Sequence, residues 1–339
     1  MGRSSHVMSA YIGLDVHKDW TFATVLDQTG RVVARRKLEN EHVPSFLENF
    51  NVEKIGLESS TYVVPLYRAL VDRGFRVEVG HPKKTRYIAE ARIKSDRVDS
   101  KAIAELVRLE ALPQSYMPPP DIAALREKVR RRAFLVRQRA KLKAKIRGVL
   151  AYEGLKPPEG LGLFTRKGVD WLRSLGLEPI DCYLRVIMVL NGEIRRLSLD
   201  LKQLAGLDED VRLLMTIPGV GYYTALLVKA EIGDVNRFRS GDHLCSYAGL
   251  VPSTHNSGGV TRHGGITREG SRWLRWAMVE AAITHIKYDT GITRSYHRIA
   301  EKRGRKTAIV ATARRLLLSC YSVLKNRRAF KPFPSRSGV

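Results

Sequence analysis

The sequence predicts an α/β domain at its N-terminal end and a largely helical remainder. Three observations point there. Three β-rich runs follow one another over short connections before residue 39. Strand-like and helix-like runs then alternate as far as Met117. After Met117-Pro118-Pro119-Pro120, where no helix can continue, two long stretches carry helical rather than strand periodicity.

The first run, residues 10–17 (Ala-Tyr-Ile-Gly-Leu-Asp-Val-His), reads as a buried strand, and residues 21–26 as a second. Gln28-Thr29-Gly30 is a turn, and residues 31–38 alternate with period two. Short connections between three strands predict an antiparallel meander. The pattern then changes to a helix over 43–50, a strand over 52–58, and a helix over 61–73 that stops at Gly74. The apolar positions of that helix are Val64, Leu66, Tyr67, Leu70 and Val71. A strand over 75–79 and the segment 82–91 lead to a further helix. Ser95 is its expected N-cap, and Ile103, Leu106 and Val107 mark its apolar face. The order βββαβαβα is the ribonuclease H-like arrangement, a meander extended by parallel α/β units.

That order gives meaning to four acids. Asp15 lies inside an otherwise apolar strand, where an unpaired charge is costly. Glu58 ends the fourth strand, and ligand sites in open α/β sheets favour strand carboxyl ends. Asp96 and Asp99, three apart, share one helical face. Alone, each has a plain explanation, such as acidic residues in a first helical turn. Together they predict a four-carboxylate site for two hard divalent cations, Mg²⁺ or Mn²⁺, suited to phosphoryl chemistry.

Charge supplies the partner. The 339 residues carry a formal net charge of +25, which calls for a polyanion, most simply nucleic acid. Cys182, Cys245 and Cys320 are far apart, which disfavours a disulfide framework or a cysteine zinc site and suits a reducing cytoplasm. No apolar run approaches the ~20 residues of a membrane span, and no membrane partner is expected.

Residues 121–152 read as one long helix, with Ile122, Leu125, Val129, Val136, Ala140, Ile146 and Val149 as an imperfect apolar stripe. Between Arg126 and Arg147 it holds eleven Lys/Arg and one acid, Glu127. A charge run is usually a solvated face. At this density, neutralisation by phosphates is the sharper reading, with Arg130, Arg131, Arg132, Arg137 and Lys141 as candidate contacts. After a Gly/Pro-rich break over 154–168, residues 179–205 form a second long helix. The two helices are expected to pair antiparallel or as a coiled coil between subunits, and an assembly role is preferred. Ile217-Pro218-Gly219-Val220-Gly221 has the form of a helix-hairpin-helix turn, in which Gly219 and Gly221 permit close approach to a phosphate. Residues 247–270 read as a long Gly-rich loop containing Ser257-Gly258-Gly259, Arg262, His263 and Arg268. Residues 307–325 are an amphipathic helix, followed by a basic tail after Phe330.

The motifs I-G-L-D-V-H-K-D, G-L-E-S-S, K-S-D-R-V-D-S-K-A-I-A, T-I-P-G-V-G, Y-A-G-L-V-P and S-G-G with I-T-R-E-G-S-R-W-L-R occur in that order. Their combination closely resembles the DEDD transposases of the insertion-sequence-110 family, relatives of the Piv-type DNA invertases. The resemblance runs from about residue 9 to 325. It implies a RuvC-like domain over 9–117 whose tetrad is Asp15, Glu58, Asp96 and Asp99. It implies a helical coiled-coil region over 118–205 and a transposase domain over 206–330 with Ser257 as nucleophile. It further implies a homo-oligomer, dimer or tetramer, acting on donor and target DNA with a structured non-coding guide RNA, the bridge RNA. Such proteins act in the bacterial or archaeal cytoplasm, at the nucleoid. Where the family often has Lys after Ser-Gly-Gly, this chain has Val260, and the nearest cation is Arg262.

Three functions compete on this sequence. A recombinase would use the tetrad and Ser257, conserving phosphodiester energy in a covalent intermediate. A junction-resolving nuclease would use the tetrad and water, leaving Ser257 idle. An architectural nucleic-acid-binding protein would explain the charge but not an aspartate within an apolar strand. The recombinase alone uses every motif. It also leads to the expectation that the acidic domain docks against the serine segment, within or across subunits.

Overall fold

The computed structural model describes residues 9–82, 84–85, 96–257 and 260–331. Side chains of residues 96–98, 254–257 and 260–263 lie outside that description. So do Lys94, the expected cap Ser95, and most of the 82–91 segment. The chain divides into two compact units, Met1–Met117 and Pro118–Val339.

The N-terminal unit is built on a five-stranded mixed sheet of order β3-β2-β1-β4-β5. Its strands are β1 Ala10–Val16, β2 Trp20–Asp27, β3 Val32–Glu39, β4 Val52–Glu58 and β5 Val77–Gly80. The first three form the antiparallel meander, while β4 runs parallel to β1 and β5 parallel to β4. The turn after β2 closes because the Asp27 carboxylate accepts from the backbone N–H of Thr29 and Arg31, and Gly30 adopts φ +86°. Alternation then sorts the two sheet faces. Ile12, Leu14, Ile55 and Leu57 are fully buried in a core shared with α1 (Val43–Leu47) and α2 (Val63–Val71).

The opposite face takes helix α3 (Asp96–Arg108), and two glycines let it approach. A Cβ at Gly13 would sit 1.9 Å from the Ser100 carbonyl oxygen and 2.4 Å from the Ala104 nitrogen. A Cβ at Gly56, the register partner of Gly13, would sit 2.4 Å from Val107 Cγ2. Beside them, the buried Thr24 and Ser100 hydroxyls share a 2.8 Å hydrogen bond. The backbone of α3 therefore rests on the sheet itself.

The C-terminal unit is mainly helical, with one two-stranded ribbon among the described residues. Its long helices α4 (Pro120–Tyr152) and α6 (Glu178–Leu207) pack together antiparallel. Val129 near the start of α4 shares a core with Leu201 and Ala205 near the end of α6. At the other end, Ile146 and Leu150 share a smaller core with Ile180, Leu184 and Ile187, closed by Leu172 of α5 (Arg166–Ser174). The expected break after residue 154 is thus shorter than its glycines and prolines suggested, because Thr165 caps α5 within it. The larger core continues through α7 (Glu209–Met215), α8 (Tyr222–Ile232), α9 (Gly241–Tyr247), α10 (Arg272–His285), α11 (Gly291–Arg303) and α12 (Arg305–Asn326). By length and composition α12 could cross a membrane, but half of its most apolar window is buried in this core.

The α7–α8 turn is seated on α10. Gly219, at φ +87°, has Ala281 O and His285 N each within 2.8 Å of where a Cβ would be. His285 is fully buried; its Nδ1–H donates to the Pro218 carbonyl at 2.6 Å, and its Nε2 lies 2.8 Å from the Thr290 hydroxyl. Burial holds this imidazole below its ordinary value of 6.5, against an opposing pull from the Pro218 carbonyl.

Two outcomes follow from these seats. Gly13→Ala is expected to cost about 3 kcal/mol in chemical denaturation, the upper end for overpacking, because the obstructing atoms are backbone. A depressed histidine pKa means the unfolded chain binds more protons, so stability held above pH 6.5 is lost as pH falls below it. The melting-temperature advantage of the native chain over His285→Gln should accordingly narrow from pH 7.5 to pH 5.5; a constant gap would mean that His285 does not titrate differently on folding.

Candidate active site and nucleic-acid interface

Asp15 and Glu58 occupy the C-terminal ends of neighbouring parallel strands. The β1–β4 register runs to Leu14↔Leu57, and one further step along both strands sets Asp15 beside Glu58. Alternation puts both on the face of Gly13 and Gly56, which is the face that α3 covers. The direction of α3 then matters. Gly13 meets Ser100 and Ala104, whereas Tyr11, nearer the start of β1, packs with Leu106 and Val107. So α3 runs antiparallel to β1, and its N-terminal turn, which begins at Asp96 and includes Asp99, lies toward the strand ends that carry Asp15 and Glu58. Asp99 is partly buried there; the side chain of Asp96 lies outside the described residues.

The four expected ligands of this edge offer carboxylate oxygen, the hard donor type that Mg²⁺ and Mn²⁺ take. Asp15 is held within an ordered environment, with its side chain 16% exposed and its Oδ2 3.2 Å from His17 Nε2. The His17 ring in turn stacks on Trp20 at 3.9 Å, and Lys37 Nζ stands 3.9 Å over the same Trp20 ring. These residues suit a divalent cation: oxygen donors at a sheet edge, with one of them oriented by a neighbouring imidazole.

Sequence reading missed His17 as a partner of Asp15, although i, i+2 spacing along a strand could have signalled it. It also missed His81, one residue beyond the β5 position that pairs with Glu58. Its Nδ1 is buried without a hydrogen-bond partner among the described residues. A separate trio, Glu39, Glu41 and His42, brings ligand atoms within 4.8 Å of one another, but all three are exposed and lie at the end of β3 and in the short helical turn that follows it.

Ser257 lies elsewhere in the chain, and here the expected loop is corrected. β6 (Pro252–Ser257) and β7 (Val260–Ile266) pair as an antiparallel ribbon. Its register pairs Ser257 with Val260 and His255 with Arg262, so Ser257 is the last residue of its strand. Gly258 and Gly259, with the side chains of Ser257 and Arg262, lie outside the described residues. The base of the ribbon is clamped. Thr267 and Ser271 donate backbone N–H bonds to Val251 and Tyr247, and Arg275 donates to the Ala248 carbonyl at 2.7 Å. Arg268 holds an uncommon left-handed conformation, φ +57°, and is exposed. Burial, then the charge of Arg268, lowers the Arg275 pKa.

The basic helix α4 divides into two sets of cations. Arg130 makes a paired contact with Glu231 (Nε–Oε1 2.8 Å, Nη2–Oε2 2.9 Å), whose side chain is 1% exposed. Ser271, the N-cap of α10, donates to the same carboxylate at 2.8 Å. Arg126 donates to the Ala230 and Glu231 carbonyls at the end of α8. Arg132 donates to Ser198 and lies 4.3 Å from the Tyr223 ring centroid. Arg131, Arg137 and Lys141 are exposed. Of the hairpin glycines, Gly219 makes its close approach to α10, whereas Gly221 caps α8 with open space beside it.

A mixed-sheet unit with acids at one sheet edge, followed along the chain by a strongly cationic helical unit, fits the class of proteins that act on nucleic acid. Comparison with known proteins makes that class specific. Residues 12–152 match a family model for the DEDD transposases of IS110 elements, and residues 211–298 match the transposase IS116/IS110/IS902 family. The chain is 28% identical to the transposase for insertion sequence element IS1111A of Coxiella burnetii, over 94% of this chain and 91% of that one. It is 25% identical to the transposase for insertion sequence element IS1328 of Yersinia enterocolitica, over 83% and 86%. Over 37% of its length it is 35% identical to the pilin gene-inverting protein of Moraxella bovis, covering 39% of that protein. The chain belongs to the IS110/IS116/IS902 family of transposases and is a DNA transposase of that family.

The Arg130–Glu231 pair carries a prediction of its own. Glu231→Gln leaves a guanidinium without its charge partner and is expected to lower stability by roughly 2–4 kcal/mol in urea unfolding followed by tryptophan fluorescence. Reversing the exposed Lys141 to Glu should change stability by less than about 0.5 kcal/mol. Similar losses for both would show that the pair is not a structural tie.

Proposed function

We propose that this transposase cleaves and rejoins DNA strands through Ser257, with Mg²⁺ held by Asp15, Glu58, Asp96 and Asp99. The observation that supports it most is the convergence of Asp15, Glu58 and the first turn of α3 on one sheet edge. When bound, a pair of divalent ions would draw charge from the scissile phosphate and lower the barrier to oxygen attack. The residues then have distinct tasks. Asp15 and Glu58 set two carboxylates side by side on rigid strand ends, and His17 fixes the orientation of the first. Asp96 and Asp99 complete the ligand set from the helix. Ser257 forms a new bond from its Oγ to phosphorus while the bond from phosphorus to the departing deoxyribose oxygen breaks; the serine proton is lost and the departing oxygen gains one. Arg262 and Arg268 neutralise the phosphate as charge develops. Rejoining reverses the exchange with another strand's hydroxyl, which is why no external energy source is needed.

The remaining cations extend the reading to partners. Arg131, Arg137 and Lys141, exposed on α4, serve a structured guide RNA as well as DNA, as the free N–H groups at Gly221 serve a backbone phosphate. Val186, Met188, Val189 and Leu199 stand exposed on α6, which supports a homo-oligomer. A junction-resolving nuclease would use the same acids with water, but it would give the clamped ribbon no task.

The decisive experiment looks for a protein–DNA adduct that survives denaturation in the presence of Mg²⁺. Ser257→Ala is expected to abolish it while leaving the fold and nucleic-acid binding intact. Asp15→Asn, Glu58→Gln and Asp99→Asn should each reduce strand cleavage at least 100-fold, as EDTA does, with binding largely retained. An adduct in Ser257→Ala would refute the serine, and full recombination by Asp15→Asn would refute the acidic set. Sequencing of RNA that copurifies with the protein tests the guide.

A further inference from the structure

Phe134 is out of place on α4. It is 55% exposed on a helix whose surface is otherwise dominated by lysine and arginine. It lines a groove together with Arg126, Glu127, Arg130, Arg131 and Trp273. Trp273, half-buried on α10, is surrounded by guanidinium groups: Arg137 at 4.6 Å from its ring centroid, Arg130 at 5.7 Å and Arg272 at 5.9 Å. Arg137 also lies 5.6 Å from the ring of Trp276, which packs edge-on against Trp273 at 6.3 Å. Two kinds of cation therefore border the groove. Arg126 and Arg130 are anchored to the end of α8 and form a fixed wall. Arg131, 3.4 Å from the exposed Glu127 carboxylate, and Arg137 are exposed at the rim.

An aromatic floor with a cationic rim selects its occupant. An apolar protein segment would leave Arg137, which lies over the Trp273 and Trp276 rings with no ion pair among the described residues, without counter-charge. A DNA duplex would satisfy the cations but has no unstacked base to lay on Phe134. An unpaired strand satisfies both, since its phosphates meet the cations and its bases stack on aromatic rings and guanidinium planes. We propose that this groove binds an unpaired segment of DNA, with bases stacked on Phe134 and against Trp273 and phosphates held by Arg131 and Arg137. The inference rests on the reading of this chain as a strand-exchanging enzyme, since cleavage and exchange expose unpaired DNA.

The test measures binding of labelled oligothymidylate and of a DNA duplex to the full-length protein by fluorescence anisotropy. Phe134→Ala is expected to weaken single-strand binding about tenfold, the loss of one stacked base, with duplex affinity and melting temperature unchanged. Phe134→Trp should restore it. Photocrosslinking with iodouracil in the oligonucleotide should label the peptide containing Phe134 or Trp273. An unchanged single-strand affinity, or an equal loss for single strand and duplex, would overturn the proposal. So would a change in oligomeric mass without a change in single-strand affinity, which would mark Phe134 as a contact between copies. Tenfold tighter binding of oligouridylate with the same dependence on Phe134 would assign the groove to RNA instead. A serine adduct that forms normally while Phe134 proves irrelevant removes this inference alone; a Phe134 effect without any adduct removes the Ser257 reading alone.

Discussion

The N-terminal unit depends on the closeness of α3 to the sheet. Gly13 and Gly56 are neighbours across β1 and β4, and each leaves room that a single methyl group would fill. Glycine within a strand ordinarily weakens it. Here the absence of two side chains allows helix backbone to rest on strand backbone, and the antiparallel course of α3 carries its acidic first turn to the strand ends. A larger residue at either position would lift the helix and move Asp99 with it. The placement of the acids is thus a consequence of packing several residues away from them.

The C-terminal unit has a comparable tie in Arg130–Glu231. One buried carboxylate accepts from a helix-α4 guanidinium and from the serine that caps α10, while Arg126 and Arg237 satisfy carbonyls at the end of α8. Burying such a charge is tolerable only because its hydrogen bonds are filled. These cations are structural, and a smaller set on α4, Arg131, Arg137 and Lys141, stands exposed. A net charge of +25 therefore overstates the number of groups open to nucleic acid, and counting arginines along a helix does not reveal which are already used.

For a DNA transposase this division has a functional sense. The acidic edge requires rigid strands and a closely seated helix, because two carboxylates must be held at fixed separation against their repulsion. The serine ribbon is fixed at its base instead, by backbone hydrogen bonds from Thr267 and Ser271 and by the Arg275 contact to Ala248. The two candidate sites are thus supported in two different ways: by a sheet edge in one unit, and by a ribbon clamped at its base in the other.

Much of the fold is written locally. Alternating apolar residues in 10–38 and the alternation of strand and helix beyond them specify the mixed-sheet unit, because periods of two and 3.6 are visible in a single chain. The long helices after Pro120 are legible for the same reason. The ribbon was not, since Thr254, His255 and Asn256 are polar on successive positions and give no alternation to detect; pairing across Ser257–Val260 reveals it. Nor could the sequence tell that Arg130 serves Glu231 a hundred residues away, that Gly219 seats a turn on α10, or that His17 turns toward Asp15. The residue types of the candidate site were set by the sequence alone. That Asp15 stands beside Glu58 was decided only by the tertiary structure, because strand register and the approach of a helix are fixed by contacts between segments that share no local pattern.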